Sequence, residues 1–297
     1  FRNYSLQGLA NDIQTKKISA REVTEAALEN IDKYDGKINA FCSVNHEDAI
    51  KQAEDLDYRI QKGENIGKLA GIPIGVKDLE DAKGFVTSFG SALHTEDEVA
   101  KVDSILVKRM RDQGCVILGK TNTPEFGHKG KTDNIPFGIT KNPWNLDYSP
   151  GGSSGGTSAA IAAGMIPLGT GSDGGGSIRI PAALGGLAGI KTSQGRIPIG
   201  GDTPPGSGLL TVKGPMAYKT DDSALALDAT VGPHSTDIFS LESEDSDWYG
   251  QLDGKLPESA IWSPTMGFSN VDKEVLSHCE KAVNLLSDAG VKIIEKE

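Results

Sequence analysis

The hydrophobic pattern predicts that the first part of the chain is helical. Ser19 and Glu22 have the spacing of a capping box, in which each side chain accepts a hydrogen bond from the backbone N–H of the other residue. After this box, apolar side chains recur on one helical face at Val23, Ala27, Leu28 and Ile31. A second amphipathic stretch runs from about Glu47 to Gln61. We therefore assign residues 1–65 to an N-terminal helical segment.

Two short apolar runs predict buried strands of a sheet. Residues 71–76 form the first run, which ends at Lys77, and residues 116–119 form the second. Between them, Asp103 is the predicted N-cap of a helix that runs through Gln113. The order of strand, helix and strand is typical of an α/β fold.

The last part of the chain shows the same alternation. Apolar residues 260–262 and 291–294 predict two strands, and residues 272–289 predict a helix between them. Residues 195–208 are rich in glycine and proline and predict a long loop. Because the chain stops just after a predicted strand, we expect the natural protein to be longer.

The centre of the chain is unusually rich in glycine. Thirteen of the 39 residues from 151 to 189 are glycine, against an average usage of ~7%. Apolar runs at 159–163, 166–168 and 178–184 show that this segment still contributes to a core. So many glycines in such a segment indicate unusual backbone angles or a close approach to a ligand.

Composition limits the partners that we expect. The formal net charge of −11 disfavours direct binding of nucleic acid. Cys42, Cys115 and Cys279 lie far apart and predict neither a disulfide framework nor a metal site, so we expect no metal, no cofactor and a reduced, cytoplasmic setting. The longest apolar run, 159–168, is too short for a membrane span, and the N-terminus lacks the pattern of a signal peptide. Composition neither predicts nor excludes a homodimer.

Two well-known glycine motifs occur in the centre, each in an unfavourable context. Residues 169–174 match the dinucleotide fingerprint GxGxxG, but Pro181 follows before a full helix can form. Residues 151–155 match GxSxG, the nucleophile elbow of α/β-hydrolase esterases, which must follow a buried strand. The preceding residues 146–150 are poor strand formers, and the candidate histidine, His278, lies on a predicted solvated helix. The esterase remains an alternative.

A third interpretation treats the centre as one unit. The sequence Pro150-Gly-Gly-Ser-Ser-Gly-Gly contains Ser153, and Ser177 follows 24 residues later within Gly-Gly-Gly-Ser-Ile-Arg-Ile-Pro. These motifs, with segments 71–78, 119–126 and 137–144 upstream, resemble the amidase signature family. The resemblance extends from about residue 5 to residue 235.

The resemblance implies the architecture. We expect an α/β fold made of a single domain, with a central mixed β-sheet covered by helices on both faces. Residues 66–235 would form the amidase signature core. Residues 236–297 would be a C-terminal α/β portion of the same domain, which lacks part of the family's C-terminal region.

The resemblance also implies roles for individual residues. In the family, the serine that matches Ser177 is the nucleophile, and the lysine that matches Lys77 is the base. The serine that matches Ser153 follows a cis peptide bond, here after Gly152, and relays the proton between them. The implied oxyanion hole uses the backbone N–H groups of Gly174, Gly175, Gly176 and Ser177. Gly127 falls at a substrate-contacting position.

The chemistry of these residues agrees with such roles. A serine hydroxyl is a weak nucleophile and needs a base nearby, yet none of the five histidines lies in the glycine-rich centre. A lysine can act as the base only when neutral, so its pKa must fall by several units from ~10.4. Burial lowers the pKa of an amine, and Lys77 follows an apolar run.

The sequence therefore predicts an amidase that hydrolyses a carboxamide C–N bond of a small molecule through an acyl-enzyme. The alternative within the family is the glutaminase (A) subunit of a tRNA-dependent amidotransferase. That subunit typically carries Met-Asp-Glu-Phe where this chain has residues 123–126, and threonine where it has Gly174. Both differences favour a stand-alone enzyme. A third interpretation, an inactive scaffold, conflicts with the intact Ser-Ser-Lys set.

Overall fold

The structure is a computed structural model that describes residues 1–201, 210–242 and 247–297. The chain divides into two units, Phe1–Tyr249 and Gly250–Glu297, each with its own helices and strands. The domain boundaries that we predicted after residues 65 and 235 stay predictions. Part of the predicted loop 195–208 lies outside the described residues.

The elements of the first unit alternate along the chain. Its helices are α1 (Leu6–Gln14), α2 (Ala20–Ile38), α3 (His46–Gln61), α4 (Ile105–Asp112), α5 (Gly155–Ala162), α6 (Arg179–Gly185) and α7 (Thr220–Asp228). Its strands are β1 (Phe41–Val44), β2 (Pro73–Lys77), β3 (Val116–Thr121), β4 (Asp133–Asn134), β5 (Gly138–Ile139), β6 (Leu168–Asp173), β7 (Ala188–Gly189) and β8 (Val212–Ala217).

Local sequence signals explain the N-terminal helices. The predicted capping box begins α2: the Glu22 N–H donates to Ser19 Oγ at 3.0 Å, and the Ser19 N–H donates to a Glu22 carboxylate oxygen at 2.8 Å. The predicted second amphipathic stretch is α3, which begins with Asn45 as N-cap. Both helices bury their apolar face, so these predictions are confirmed.

A six-stranded mixed sheet is the centre of this unit. Its strand order is β1-β3-β2-β6-β8-β7. Strand β2 is parallel to both β3 and β6, whereas β1, β7 and β8 run antiparallel to their neighbours. The prediction of an α/β fold with a central mixed sheet is confirmed. Because carboxyl ends of parallel strands meet at one edge, Lys77, Thr121 and Asp173 end their strands on the same side.

The glycines of the centre allow α5 to pack closely against this edge. All eight residues of α5 are buried. A Cβ on Gly156 would lie 2.3 Å from the backbone nitrogen of Asn122, and a Cβ on Gly155 would lie 2.1 Å from Thr132 Oγ1. No side chain fits at either position, which explains why glycine is used there.

One local prediction was wrong. Helix α4 is capped by Ser104, whose Oγ accepts the N–H of Val107 at 3.4 Å, and not by Asp103. The Asp103 carboxylate instead accepts from the Arg111 side chain at 2.8 Å, an ion pair that the local pattern does not reveal. Residues 169–173 of the GxGxxG match lie in β6 itself rather than in a turn between strand and helix, in agreement with the unfavourable context that the sequence shows for dinucleotide binding.

The second unit is a strand–helix–strand motif, as predicted. Strand β9 (Ser259–Trp262) pairs in parallel with β10 (Lys292–Glu295), and α8 (Lys273–Asp288) connects them. Asp272 caps α8 by accepting the Glu274 N–H at 2.8 Å. In neither unit does a described helix have both the length and the apolar character that a bilayer crossing requires.

The contact between α1 and α7 predicts a pH-dependent stability. Asp222 on α7 is buried and accepts the N–H of Leu6 at 2.6 Å. Burial raises the pKa of Asp222 to about 6, although the hydrogen bond from Leu6 opposes this. The folded state therefore holds a proton between about pH 4 and 6 that the unfolded state releases, and stability falls as pH rises through this window.

We expect Asp222→Asn to remove this fall and to raise the free energy of unfolding at pH 7 by roughly 2 kcal/mol, because a neutral amide still accepts from Leu6. Urea unfolding at pH 4 and pH 7 measures the difference. Asp112→Asn is the matched control, since Asp112 is exposed and pairs with Lys108. A gain that is equal at both pH values would contradict the assignment.

Candidate active site

Lys77 lies at the carboxyl end of β2 with its side chain fully buried. Its Nζ donates to Ser153 Oγ at 2.8 Å and to Ser172 Oγ at 2.9 Å. Its backbone N–H donates to Thr170 Oγ1 at 2.8 Å. These contacts fix the amine between two hydroxyl groups, and no carboxylate accepts a hydrogen bond from it among the residues that the structure describes.

The surroundings of Lys77 favour its neutral form. Burial lowers the pKa of Lys77 well below its ordinary value, because the charged amine loses its hydration. The ammonium of Lys213 lowers it further, whereas the carboxylates of Glu80 and Asp173 raise it. An amine with a depressed pKa can accept a proton near neutral pH.

Ser153 is held between Lys77 and the start of α5. The peptide bond from Gly152 to Ser153 is cis, as the family resemblance implies. Ser153 is buried, and its carbonyl oxygen accepts a hydrogen bond from Thr123 Oγ1 at 3.0 Å. Its hydroxyl therefore faces Lys77 while its backbone is tied to the segment after β3.

Ser177 lies beside this pair in the loop after β6. Its carbonyl oxygen accepts the backbone N–H of Ser154 at 3.1 Å, which joins the two serine-bearing segments. Ser177 is half-buried, and its hydroxyl makes no hydrogen bond with any described residue. The structure thus brings Lys77 and Ser153 into direct contact and joins the backbone of Ser177 to the residue that follows Ser153.

Asp173, the last residue of β6, shapes the loop that carries Ser177. Its carboxylate accepts the Gly176 N–H at 2.7 Å, the Ile178 N–H at 3.2 Å and two side-chain bonds from Arg179 at 2.9 Å. Burial by itself would raise the pKa of Asp173, but the hydrogen bonds from Arg179 and from the backbone lower it to about 2. The carboxylate stays ionised and folds the loop around itself.

This arrangement corrects part of the predicted oxyanion hole. The Gly176 N–H points to Asp173 and is not available to a substrate, a contact that the glycine pattern alone does not show. The N–H groups of Gly174, Gly175 and Ser177 have no partner within the described part of the chain. Gly174 and Gly175 are exposed, so these groups can be reached from outside.

Gly127 lies directly against Ser153. Its φ is +71°, and a Cβ there would lie 3.2 Å from Ser153 Oγ and 2.8 Å from Leu79 Cδ1. A side chain at this position would press on the hydroxyl that contacts Lys77. Glycine therefore preserves the space in front of Ser153.

A cavity of about 390 Å³ opens beside Ser172. Its apolar wall includes Leu79, Ile105, Leu106, Ile199 and the rings of Phe89 and Phe126. The two rings stack with centroids 6.2 Å apart. Its polar wall includes Glu80, Lys213 and His128. The cavity suits a mostly apolar group of a small molecule.

The esterase alternative lacks its structural context. No strand precedes residues 151–155 among the residues described between β5 and α5. His278 is exposed on α8. A nucleophile elbow requires a strand end, so this alternative has no support in the structure.

Comparison with known proteins decides the family. The family model named Amidase matches residues 22–297. The chain belongs to the amidase signature family. It is 38% identical over 295 residues to an acylamidase of Rhodococcus erythropolis, in an alignment that covers 97% of this chain and 60% of that protein. It is 36% identical over 293 residues to the A subunit of the glutamyl-tRNA(Gln) amidotransferase of Acaryochloris marina, covering 98% and 60%.

Solved structures of amidase signature enzymes have the same fold. A bacterial aryl acylamidase of this family superimposes with a TM-score of 0.92 at 33% identity, covering 99% of this chain and 61% of that one. A 6-aminohexanoate cyclic dimer hydrolase superimposes with a TM-score of 0.90 at 29% identity, covering 100% and 61%. The chain thus spans about 60% of the length of these relatives.

Sequence analysis missed several residues around the candidate site. Thr170 and Ser172 are spaced by two on β6, so both side chains point to one face, where each contacts Lys77. Their alternation with Gly169, Gly171 and Asp173 was the available signal. Lys213 gave no such signal, because only the pairing of β6 with β8 brings it near.

The role of Asp173 predicts a loss of stability on mutation. We expect Asp173→Asn to lower the free energy of unfolding by roughly 2 kcal/mol, because hydrogen bonds to a charged group contribute ~1.5–3 kcal/mol and an amide cannot replace them all. Urea unfolding at pH 7 measures the loss. Asp133→Asn, at an ion pair with Lys129 and Lys131, should cost less than about 1 kcal/mol. Equal losses would contradict a special role for Asp173.

Proposed function

We propose that this protein hydrolyses the C–N bond of a carboxamide through an acyl-enzyme on Ser177. The observation that carries the proposal is the fully buried Lys77, whose Nζ lies 2.8 Å from Ser153 Oγ. Burial favours the neutral form of such a lysine, and the Ser153 hydroxyl in contact with it can carry the proton. The membership of the amidase signature family supports the same reaction class.

In the proposed mechanism, the Ser177 hydroxyl attacks the substrate carbonyl. Ser153 takes the proton of Ser177 and passes its own proton to Lys77, whose Nζ is already in hydrogen-bond contact. The negative charge on the carbonyl oxygen is stabilised by N–H groups of the loop, for which Gly174, Gly175 and Ser177 are the available donors.

The tetrahedral intermediate then collapses. The C–N bond breaks, and the leaving nitrogen takes the proton back from Lys77 through Ser153, so that an amine or ammonia departs. A water molecule then attacks the carbonyl carbon of the Ser177 ester and loses a proton to Lys77 through Ser153. The ester C–O bond breaks, Ser177 Oγ takes that proton back, and the carboxylic acid is released.

The cavity supports a substrate with an apolar or aromatic group. Its wall contains Phe89 and Phe126 together with aliphatic side chains. Two relatives, at 38% and 33% identity, are an acylamidase and an aryl acylamidase. We therefore propose a stand-alone amidase for small acyl or aryl amides.

The second candidate is the glutaminase reaction of an amidotransferase A subunit, because one relative of that name is 36% identical. Residues 123–126 and Gly174 favour the stand-alone enzyme. Release of ammonia or amine across a panel of amides, glutamine included, separates the two. Turnover of glutamine above that of anilides would reverse the preference.

The nucleophile can be tested by covalent labelling. A fluorophosphonate should label Ser177, and Ser177→Ala should abolish labelling and lower kcat by at least ~10³-fold, because the proposed acyl-enzyme forms on its hydroxyl. Ser154→Ala should keep most of its labelling. Labelling that survives Ser177→Ala and disappears in Ser154→Ala would show that Ser154 is the nucleophile instead.

The oxyanion hole can be tested at Gly175. Gly175→Pro removes a backbone N–H from the loop and should lower kcat by ~10²-fold or more, since loss of one donor typically costs that much. The Gly130→Pro variant serves for comparison, because nothing lies within 4 Å of a Cβ at Gly130. Near-normal turnover in a folded Gly175→Pro protein would exclude the assigned donor.

The lysine base predicts a distinctive pH dependence. The depressed pKa of Lys77 means that kcat/KM should rise as Lys77 loses its proton and stay high into alkaline pH. Lys77→Ala and Lys77→Arg should both lose ~10²–10⁴-fold, because a guanidinium cannot accept the proton. His128→Ala and His278→Ala should keep most of their activity. A folded Lys77→Ala enzyme with a tenth of the original activity would refute the lysine base.

A further inference from the structure

An ion pair lies in the cavity wall beside the proposed base. The Lys213 ammonium pairs with the Glu80 carboxylate, and their side chains are only 13% and 5% exposed. Both residues line the 390 Å³ cavity. Charges this far from water interact more strongly with their neighbours than surface charges do.

Strand pairing brings Lys213 to the face that carries Lys77. Lys213 on β8 is the direct partner of Ser172 on β6, so their Cβ atoms lie ~4.5–5.5 Å apart on the same face of the sheet. The Ser172 hydroxyl in turn accepts from Lys77 Nζ at 2.9 Å. Lys213 on β8 therefore lies across β6 from Lys77 on β2, beside the Ser172 side chain that contacts Lys77.

Glu80 approaches the same amine along the chain. The Glu80 N–H donates to the Lys77 carbonyl oxygen at 3.0 Å, so a single turn separates the two residues. The two members of the ion pair thus face Lys77 from different elements. Their charges have opposite effects on a neighbouring ammonium.

The remaining charges near Lys77 have partners of their own. Asp173 accepts from the Arg179 guanidinium, from Gly176 and from Ile178. On the next strand, Lys120 pairs with Asp78 at 3.0 Å, and both are buried. The charges of these groups act on Lys77 in addition to those of the Lys213–Glu80 ion pair.

We propose that the Lys213–Glu80 ion pair controls the protonation state of Lys77, with Lys213 disfavouring and Glu80 favouring the charged amine. The two are positioning residues, since they act through Lys77, and the inference rests on the proposed function of Lys77 as the base. The lowered pKa of Lys77 agrees in sign, because Lys213 lowers it and Glu80 raises it.

The test measures the pKa of Lys77 directly. Lysine labelled at Cε with carbon-13 gives an NMR titration without substrate, and Lys77→Ala identifies the resonance. Lys213→Met should raise the pKa of Lys77 by about one unit and Glu80→Gln should lower it by a similar amount, the order that one neighbouring charge produces. The double variant should return close to the original value.

The same variants should shift the acid limb of kcat/KM in the same directions. A one-unit rise in the Lys77 pKa moves the midpoint of the acid limb up by one pH unit, and this midpoint is compared rather than the height of the plateau because both residues line the cavity. Lys213→Arg keeps the charge and should leave that midpoint where it is in the original protein. Lys17→Met, at an exposed ion pair with Asp12, should shift nothing.

The control of Lys77 by the ion pair and the role of Lys77 as the base are separate hypotheses, and different outcomes contradict each of them. A Lys77 pKa that is unmoved, or that moves in the same direction in Lys213→Met and Glu80→Gln, would overturn the inference. A pKa that moves as expected in a protein that turns over no amide would contradict the proposed function and leave the electrostatic coupling standing. Glu80→Gln alone decides the sign if Lys213→Met does not fold.

Discussion

The rest of the site depends on the burial of one amine that, among the described residues, donates to no carboxylate. Lys77 Nζ is surrounded by hydroxyl groups, which accept its hydrogen bonds without stabilising a positive charge as a carboxylate would. A buried ammonium is costly, so burial lowers the pKa of this amine. The apolar strand β2, which buries the side chain, is thus as much part of the proposed chemistry as the serines.

The sheet brings the other residues of the site close to Lys77. Three parallel strands end at one edge, and their last residues or the loops beyond them supply Lys77, the segment that ties Ser153, and Asp173 with Ser177. The glycines of α5 let its start pack against the same edge. The density of glycine in the centre is therefore a packing requirement as well as a loop requirement.

Sequence reasoning predicted what depends on local pattern or on a contiguous motif. The capping box at Ser19, the mixed sheet and the cis bond before Ser153 all appear in the structure. It failed where a group had two competing partners, as with Asp103, which pairs with Arg111 while Ser104 caps the helix. It also did not predict that Lys213 lies near Lys77, because only the register of β6 against β8 brings together residues so distant in sequence.

The position of Ser153 at the start of α5 has a further electrostatic consequence. Peptide dipoles along a helix sum to roughly half a positive elementary charge at its N-terminus. Ser153 immediately precedes Ser154, the N-cap of this eight-residue helix. The dipole of α5 thus favours an oxygen that becomes more negative at Ser153 and opposes a cation next to it. The orientation of α5 and the burial of Lys77 therefore both disfavour a positive charge on the lysine.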